Sequence, residues 1–240
     1  MIGRKLAFKE SKLFLKIEGE KFFDIAHLCL LKNRSELEEY IALHPFFQST
    51  LEPFDVESDS PRVVRLMAHA AKKIGVGPMA AVAGALAELM LEEVVKKGCR
   101  FAIIENGGDI AMKVDRVAKV VVYAGSSPFS GNIGFEVMPK DTPLGLCTSS
   151  GTVGHSISFG KADAAVAFAD GAALADAAAT AIGNAVKSER KLKEAIEVAK
   201  NLPVRGAVVI KGKSIAAWGR IPKIVKSKGL PRYFYKEFFE

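Results

Sequence analysis

The chain has 240 residues, 49% of them hydrophobic and 25% charged. That is a length for one or two domains with a composition that fills a core, which excludes global disorder. The net charge of +7 is uneven, since from Gly219 onward six basic residues stand against two acidic ones. Cys29, Cys99 and Cys147 are scattered and form no CxxC pair, which argues against a disulfide scaffold or a zinc ribbon and fits a reducing cytoplasm.

The opening MIGRKLAFKE alternates charged and apolar residues, so no signal peptide is expected. Lys5 to Ile17 keeps a period of two on both sides of Glu10-Ser11 and predicts a hairpin. Leu28 to Leu43 reads as a helix, and Ser35 with Glu38 has the spacing of a capping box that offers a second start. Pro45 and Pro53 bracket an acidic loop to Ser60. Helices follow over Arg62 to Lys73 and from Pro78 to about Lys97, closed by Gly98. The uncharged run Ile74 to Ala87 is broken by Glu88 and is short for a bilayer span. The small-residue stretch Ala162 to Val186 carries Asp163, Asp170 and Asp176, and no membrane association is expected.

Strands are predicted over Arg100 to Ile104, Asp109 to Val114, Ala118 to Tyr123, Ile133 to Met138, Leu144 to Thr148 and Asp163 to Phe168. Ala172 to Val186 and Glu189 to Lys200 read as helices, and Arg205 to Trp218 as a hairpin. RFAIIENGGDIAM (100–112) aligns without gaps on RGAVVIKGKSIAA (205–217), with five identities in thirteen positions. Each copy is strand, glycine turn and strand with a helix pair upstream, the signature of a duplication. The expectation is an α+β fold: a single domain over 1–218 in two pseudo-repeated halves, helices packed on mostly antiparallel sheet, and a basic, aromatic tail over 219–240. Tyr233, Phe234, Tyr235, Phe238 and Phe239 suit a tail that docks on its own or a neighbouring subunit, so a homo-oligomer is expected. No recognised motif supports nucleic-acid binding.

Three clusters could carry chemistry. In Glu105-Asn106-Gly107-Gly108-Asp109 the two glycines permit positive φ and close approach of amides to a ligand, although Asn-Gly is also the usual sequence of a plain hairpin turn. Cys147-Thr148-Ser149-Ser150-Gly151-Thr152-Val153-Gly154-His155 follows a strand with four hydroxyls, two glycines and a histidine. It offers donors to a phosphate and His155 as proton carrier, or else is a Ser/Gly-rich loop that happens to hold a histidine. Asp176 and Thr180, four apart in an Ala-rich helix, share a face and present two oxygens to a hard cation such as Mg²⁺. The structural alternative is Asp176 as an N-cap or first-turn acid. Lys161 and Asp163 flank the His155 loop, either to touch a phosphate or to hold the loop.

In this order the clusters resemble the ApbE family of magnesium-dependent flavin transferases. The family's Asn-x-Gly-Gly-Asp-like turn is met loosely by Asn106 to Asp109, its Thr-Ser-Gly loop and following histidine by Thr148 to Gly151 and His155, and its Asp-x-x-Ala-Thr helix by Asp176, Ala179 and Thr180. The match spans about residues 75 to 218. The resemblance implies a duplicated T-fold-like architecture with a ligand between the halves. It implies Mg²⁺ held by Asp176, Thr180 and the Ala179 carbonyl, and FAD or FMN contacted by Asn106, Gly107, Gly108, Asp109, Ser150, Gly151 and Thr152. His155, Ser149 and Thr148 would lie beside the transferred phosphate as catalytic groups, with a protein threonine as acceptor. Where the family follows its histidine with Pro-x-Thr-Gly, this chain has Ser156-Ile157-Ser158-Phe159-Gly160-Lys161. In that respect it is similar to a shorter ApbE-related branch, widespread in archaea and linked to sulfide assimilation into homocysteine. The alternative function is therefore a non-catalytic or accessory ligand-binding protein of sulfur assimilation.

Overall fold

The computed structural model describes residues 1–9, 11–151 and 160–229. Strands β1 (Ile2–Phe8) and β2 (Ser11–Ile17) form the expected hairpin, with Leu13, Leu15 and Ile17 buried on one face and Lys12 and Lys16 exposed on the other. Helix α1 runs Glu20–Leu43, starting well before Leu28 and Ser35. Its buried stripe begins with Phe22, Phe23 and Ala26, and its entry residue Gly19 carries no capping side chain. Ser35 lies mid-helix and donates its hydroxyl to Glu39 (2.9 Å), so the Ser35–Glu38 spacing marks no start. A short helix, α2 (Pro45–Ser49), precedes the acidic segment.

Helix α3 (Arg62–Ile74) stops at Gly75, whose φ of +85° is left-handed. A 3-10 turn over Pro78–Ala81 leads into α4 (Val82–Lys96). Strands β3 (Ala102–Asn106), β4 (Asp109–Lys113), β5 (Ala118–Val121), β6 (Ile133–Val137), β7 (Leu144–Ser149) and β8 (Ala164–Ala169) follow. Then come α5 (Ala172–Ala185), α6 (Leu192–Lys200), β9 (Gly206–Lys211), β10 (Ser214–Gly219) and β11 (Lys223–Lys226). The helix read from Glu189 opens with a 3-10 turn over Glu189–Lys191, and α6 proper begins at Leu192.

Among the described residues, β1-β2-β3-β4-β7-β8-β9-β10 form one antiparallel sheet and β11-β6-β5 a smaller one. The large sheet has two halves of matching order. In each, a hairpin leads through helices to a second hairpin that pairs back on the first, β2 with β3 and β8 with β9, and β4 pairs with β7 at the join. The two similar thirteen-residue segments occupy the second hairpin of each half. Of the segment beyond Gly219, Lys223–Lys226 pairs with β6, and Leu230 onward lies outside the described residues.

The register places all four hairpin connections of the large sheet at one end. These are the β1–β2 turn, the Gly107-Gly108 turn, the segment joining β7 to β8, and the turn at Gly212. Helices cover one face, where Leu13, Ile104, Ala111, Cys147, Ala165 and Ala167 join α4 and α5 in one core. The small sheet covers the other face, where Ile110, Leu146, Val166 and Phe168 meet Phe135 and Val137. No single helix among the described residues is long and apolar enough to cross a membrane. The apolar pair Arg62–Ile74 and Pro78–Lys96 is bent by 103°.

Alanine at many positions of α5 and β8 lets helix and sheet approach closely, and glycine does the same at two contacts. A Cβ on Gly145 would lie 2.4 Å from the Gly171 carbonyl oxygen, and one on Gly84 would lie 2.3 Å from the Ala172 carbonyl oxygen. Both obstacles are backbone, which cannot swing aside as a side chain can. Gly84→Ala should therefore cost about 2 kcal/mol despite its gain in helix propensity. Urea unfolding reads this directly, and an unchanged midpoint would mean that the α4–α5 contact is loose.

Candidate functional site

The Gly107-Gly108 turn has φ of +64° and +101°, the conformation of a two-residue hairpin loop that glycine adopts without strain. Asn106 and Asp109 face one another across that turn, and Asp109 pairs with Cys147 on β7. The strand alternation sends all three side chains to the helix-covered face. There Asn106 Nδ2 donates to the Ala83 carbonyl at the start of α4 (3.3 Å), and Cys147 Sγ lies 3.3 Å from the Ala172 carbonyl oxygen.

Asp176 enters from α5. The helix begins at Ala172 behind Gly171, so Asp176 stands in its second turn and caps nothing in its own helix. Instead its Oδ2 accepts the Gly84 N–H at 2.9 Å, with the Ala83 N–H also bonded to the carboxylate. The first turn of α4 has no capping side chain of its own, so Asp176 satisfies its orphan amides. The converse contact comes from α4: Glu88 Oε2 accepts the Ala173 N–H at 2.9 Å at the start of α5. A Cβ on Gly171 would fall 2.6 Å from that carboxylate.

Asp109 and Asp176 are only 8% and 9% exposed. Burial, then the charge of Asp176, raises the Asp109 pKa well above the usual carboxylate range, against opposing bonds from Cys147 and the Thr148 amide. Burial raises Asp176 to about 7, with the Gly84 and Ala83 amides pulling the other way. Asp109 Oδ1 is buried without a hydrogen-bond partner among the described residues. Two desolvated carboxylates, one raised further by the charge of the other, call for a shared proton or a cation. The Cys147 thiol is also pushed far up, by burial first and then by Asp109 and Asp176, so it is no nucleophile here.

The remaining expected site residues are distributed around this pair. Thr180 is half-buried one turn beyond Asp176, and Ala179 is buried within α5. Ser149 shares the helix-side face with Cys147, and its Oγ lies 3.4 Å from where a Gly183 Cβ would stand on α5. Thr148 points to the opposite face, in register with Val166, so Thr148 and Ser149 do not present their hydroxyls to one site. Ser150 Oγ donates to the Ala162 carbonyl (3.4 Å), and the Gly151 N–H bonds the same carbonyl (3.0 Å). Gly151 and Gly160 pack backbone on backbone, as do Gly160 and Gly183 of α5. Thr152 and His155 lie outside the described residues.

Asp163 bonds the Lys211 ammonium (2.8 Å) and the Gly212 N–H (2.7 Å), which ties the start of β8 to the turn of the second hairpin. Glu105, on the small-sheet side of β3, is half-buried and raised to about 7 by burial alone. In the sequence Asp109 and Asp176 stand out separately, while Glu88 shows only as a break in an apolar run. Its signal was the same as that of Asp176, a lone carboxylate inside an apolar helical run.

Comparisons with known proteins agree with this architecture. A family model described as AbpE bacteria matches residues 3–211. A "UPF0280 protein" of Methanocella arvoryzae is 48% identical over 212 residues, covering 88% of this chain and 86% of that protein. One from Methanosarcina acetivorans is 44% identical over 240 residues, covering 98% and 93%. Among solved structures, the apo flavinyl transferase ApbE of Pseudomonas stutzeri superposes with a TM-score of 0.54 at 12% identity, over 91% of this chain and 94% of that one. The flavin transferase ApbE of Vibrio cholerae gives 0.53 at 11%, over 91% and 96%.

A carboxyl whose pKa is higher in the folded than in the unfolded state keeps its proton only when folded. Stability is then full below about pH 4 and is lost as pH rises to about 7. Asp109, Asp176 and Glu105 all act in this direction. Without divalent cations, the protein should be less stable to urea at pH 8 than at pH 5. Asp109→Asn should recover part of that loss, leaving the shares of Asp176 and Glu105. An equal loss in wild type and variant would show that Asp109 takes up no extra proton on folding.

Proposed function

The chain belongs to the AbpE bacteria family, and on that footing we propose that it binds a flavin nucleotide or a related phosphate compound with Mg²⁺ at the Asp109–Asp176 pair. The observation that supports this is Asp109 Oδ1, a buried carboxylate oxygen without a partner, beside a second carboxylate with a raised pKa. The donor set is two carboxylates and the Thr180 hydroxyl, with the Ala179 carbonyl in the same turn. These are hard oxygen ligands of the kind Mg²⁺ takes. Asp109 thus moves from the expected flavin contacts to the cation side of the site. The similar Pseudomonas and Vibrio structures are flavin transferases by name, which favours a flavin among phosphate ligands.

Bound Mg²⁺ would supply charge neutralisation to a pyrophosphate. This chain's residues do the rest. Glycine at 107 and 108, both at positive φ, leaves the turn beside Asp109 without side chains, so that a ligand can approach the backbone closely. Ser149 and Ser150 present hydroxyls where the β7–β8 segment begins. His155, carried on that segment, serves as proton carrier for the departing or attacking oxygen, and a protein threonine is the acceptor if FMN is transferred. Binding without transfer, as in an accessory protein of sulfur assimilation, is the second reading. It is favoured by Ser156 to Lys161 standing where the related transferases have Pro-x-Thr-Gly.

Calorimetric titration of FAD tests this. Wild type should bind only with Mg²⁺ present, and Asp176→Asn and Thr180→Val should each weaken binding at least tenfold. FAD binding indifferent to Mg²⁺, or none at all, would discard the flavin–magnesium reading. Binding in wild type without FMN transfer to a threonine-bearing acceptor would select the accessory role.

A further inference from the structure

We infer that Glu88 is a positioning residue for this site: by capping α5 it sets the place of Asp176. The inference rests on the Asp109–Asp176 reading for its consequence, but on separate contacts for its geometry.

Helices α4 and α5 meet near their starts, with Gly84 against Ala172 and Asp176, and Glu88 against Gly171 and Ala173. Each helix starts without a side-chain cap from its own entry residue, Ala81 for α4 and Gly171 for α5. Each instead receives a carboxylate from the other, Asp176 on the Ala83 and Gly84 amides and Glu88 on the Ala172 and Ala173 amides. The two contacts are four residues apart on α4 and on successive turns of α5, so they share one helix–helix seam. At Gly84 the seam tolerates no side chain, because a Cβ would lie 2.3 Å from the Ala172 carbonyl oxygen, and at Gly171 a Cβ would lie 2.6 Å from the Glu88 carboxylate and push it aside.

The consequence follows from Asp176 having two tasks. One oxygen is committed to the start of α4, and the carboxylate also stands beside Asp109. Its placement therefore depends on the axial position of α5 relative to α4. The start of α5 rests on β7 through Gly145 against Gly171 and Cys147 Sγ against the Ala172 carbonyl, and the half-buried Glu88 ties its first amides to α4. Glu92 and Arg62, further along the same side, shape the charge around Glu88, and Arg62 pairs with Glu92. Removing the Glu88 carboxylate leaves the Ala172 and Ala173 amides unsatisfied and lets α5 shift along its axis. A helix shift of even one ångström separates groups that must meet within coordination distance. Glutamine keeps an acceptor oxygen at the same reach and should keep the geometry.

The experiment uses the full chain, with Glu88→Ala and Glu88→Gln compared with wild type. In metal-free protein, hydrogen exchange of the Gly84 amide reads the Asp176 bond directly. Mn²⁺ titration followed by electron paramagnetic resonance reads the site. Glu88→Ala should expose the Gly84 amide about tenfold more and weaken Mn²⁺ at least tenfold, while amides in β8 and β9 keep their protection. Glu88→Gln should restore both readouts to near wild type. Unchanged Gly84 exchange in Glu88→Ala would overturn the positioning role, whether or not the wild type binds Mn²⁺. Equal exposure of Gly84 and of the β8 and β9 amides would also overturn it, since Glu88 would then support the whole fold and not this seam. Wild type that fails to bind Mn²⁺ would instead sink the cation reading and leave the exchange result to decide Glu88.

Discussion

The site depends on one constraint: two helix starts that provide no caps of their own and meet so closely that each must borrow a carboxylate from the other. The orphan amides of α4 take Asp176 and those of α5 take Glu88. Gly84 and Gly171 are small enough to allow it. A carboxylate held at a helix start is stabilised by the positive end of that helix, which offsets part of the cost of taking it out of water. The offset is incomplete for Asp176, whose pKa still rises to about 7. It is weaker for Asp109, which receives the Thr148 amide and the Cys147 thiol but keeps one oxygen without a partner.

That imbalance is a reason to look for function here. A protein whose fold needed only a helix cap at Asp176 would have no need of a second buried carboxylate on the facing hairpin turn. Asp109 comes from the hairpin of the first half and Asp176 from the first helix of the second, so the pair exists only because β4 and β7 join the halves. In the second hairpin Ser214 stands where Asp109 does in the first, and Asp163 is spent on Lys211 and Gly212. The first turn carries the buried Asp109 of the proposed site, while the second is fastened to the start of β8 through Asp163. We propose that the halves arose by duplication and then diverged in this way.

Much of the fold was legible from local pattern. Period-two hairpins, glycine turns and proline-led helices all left signals within a few residues of where they stand. What escaped did so for physical reasons. The first turns of α1 carry no cap, since Gly19 provides none, while Ser35 imitates one mid-helix and bonds Glu39 instead. Strand β11 is four largely exposed residues that pair with β6, far away in sequence. At the site, Asp109 and Asp176 each stood out as acids in apolar surroundings, but their coupling is a tertiary fact. Glu88 was read as a break in an apolar run, although its role requires knowing that α5 starts opposite it. Thr148 and Ser149 looked equivalent in a hydroxyl-rich run, and strand alternation separates them onto two faces.

The central claim is that the Asp109–Asp176 pair is a cation site and not a proton-sharing pair. Anomalous diffraction from crystals grown with Mn²⁺ above neutral pH tests it most directly. The account predicts one strong peak in contact with a carboxylate oxygen of each of Asp109 and Asp176. Ordered crystals with no peak there, and the two carboxylates drawn together within hydrogen-bonding distance, would contradict it and leave the pair as a buried shared proton.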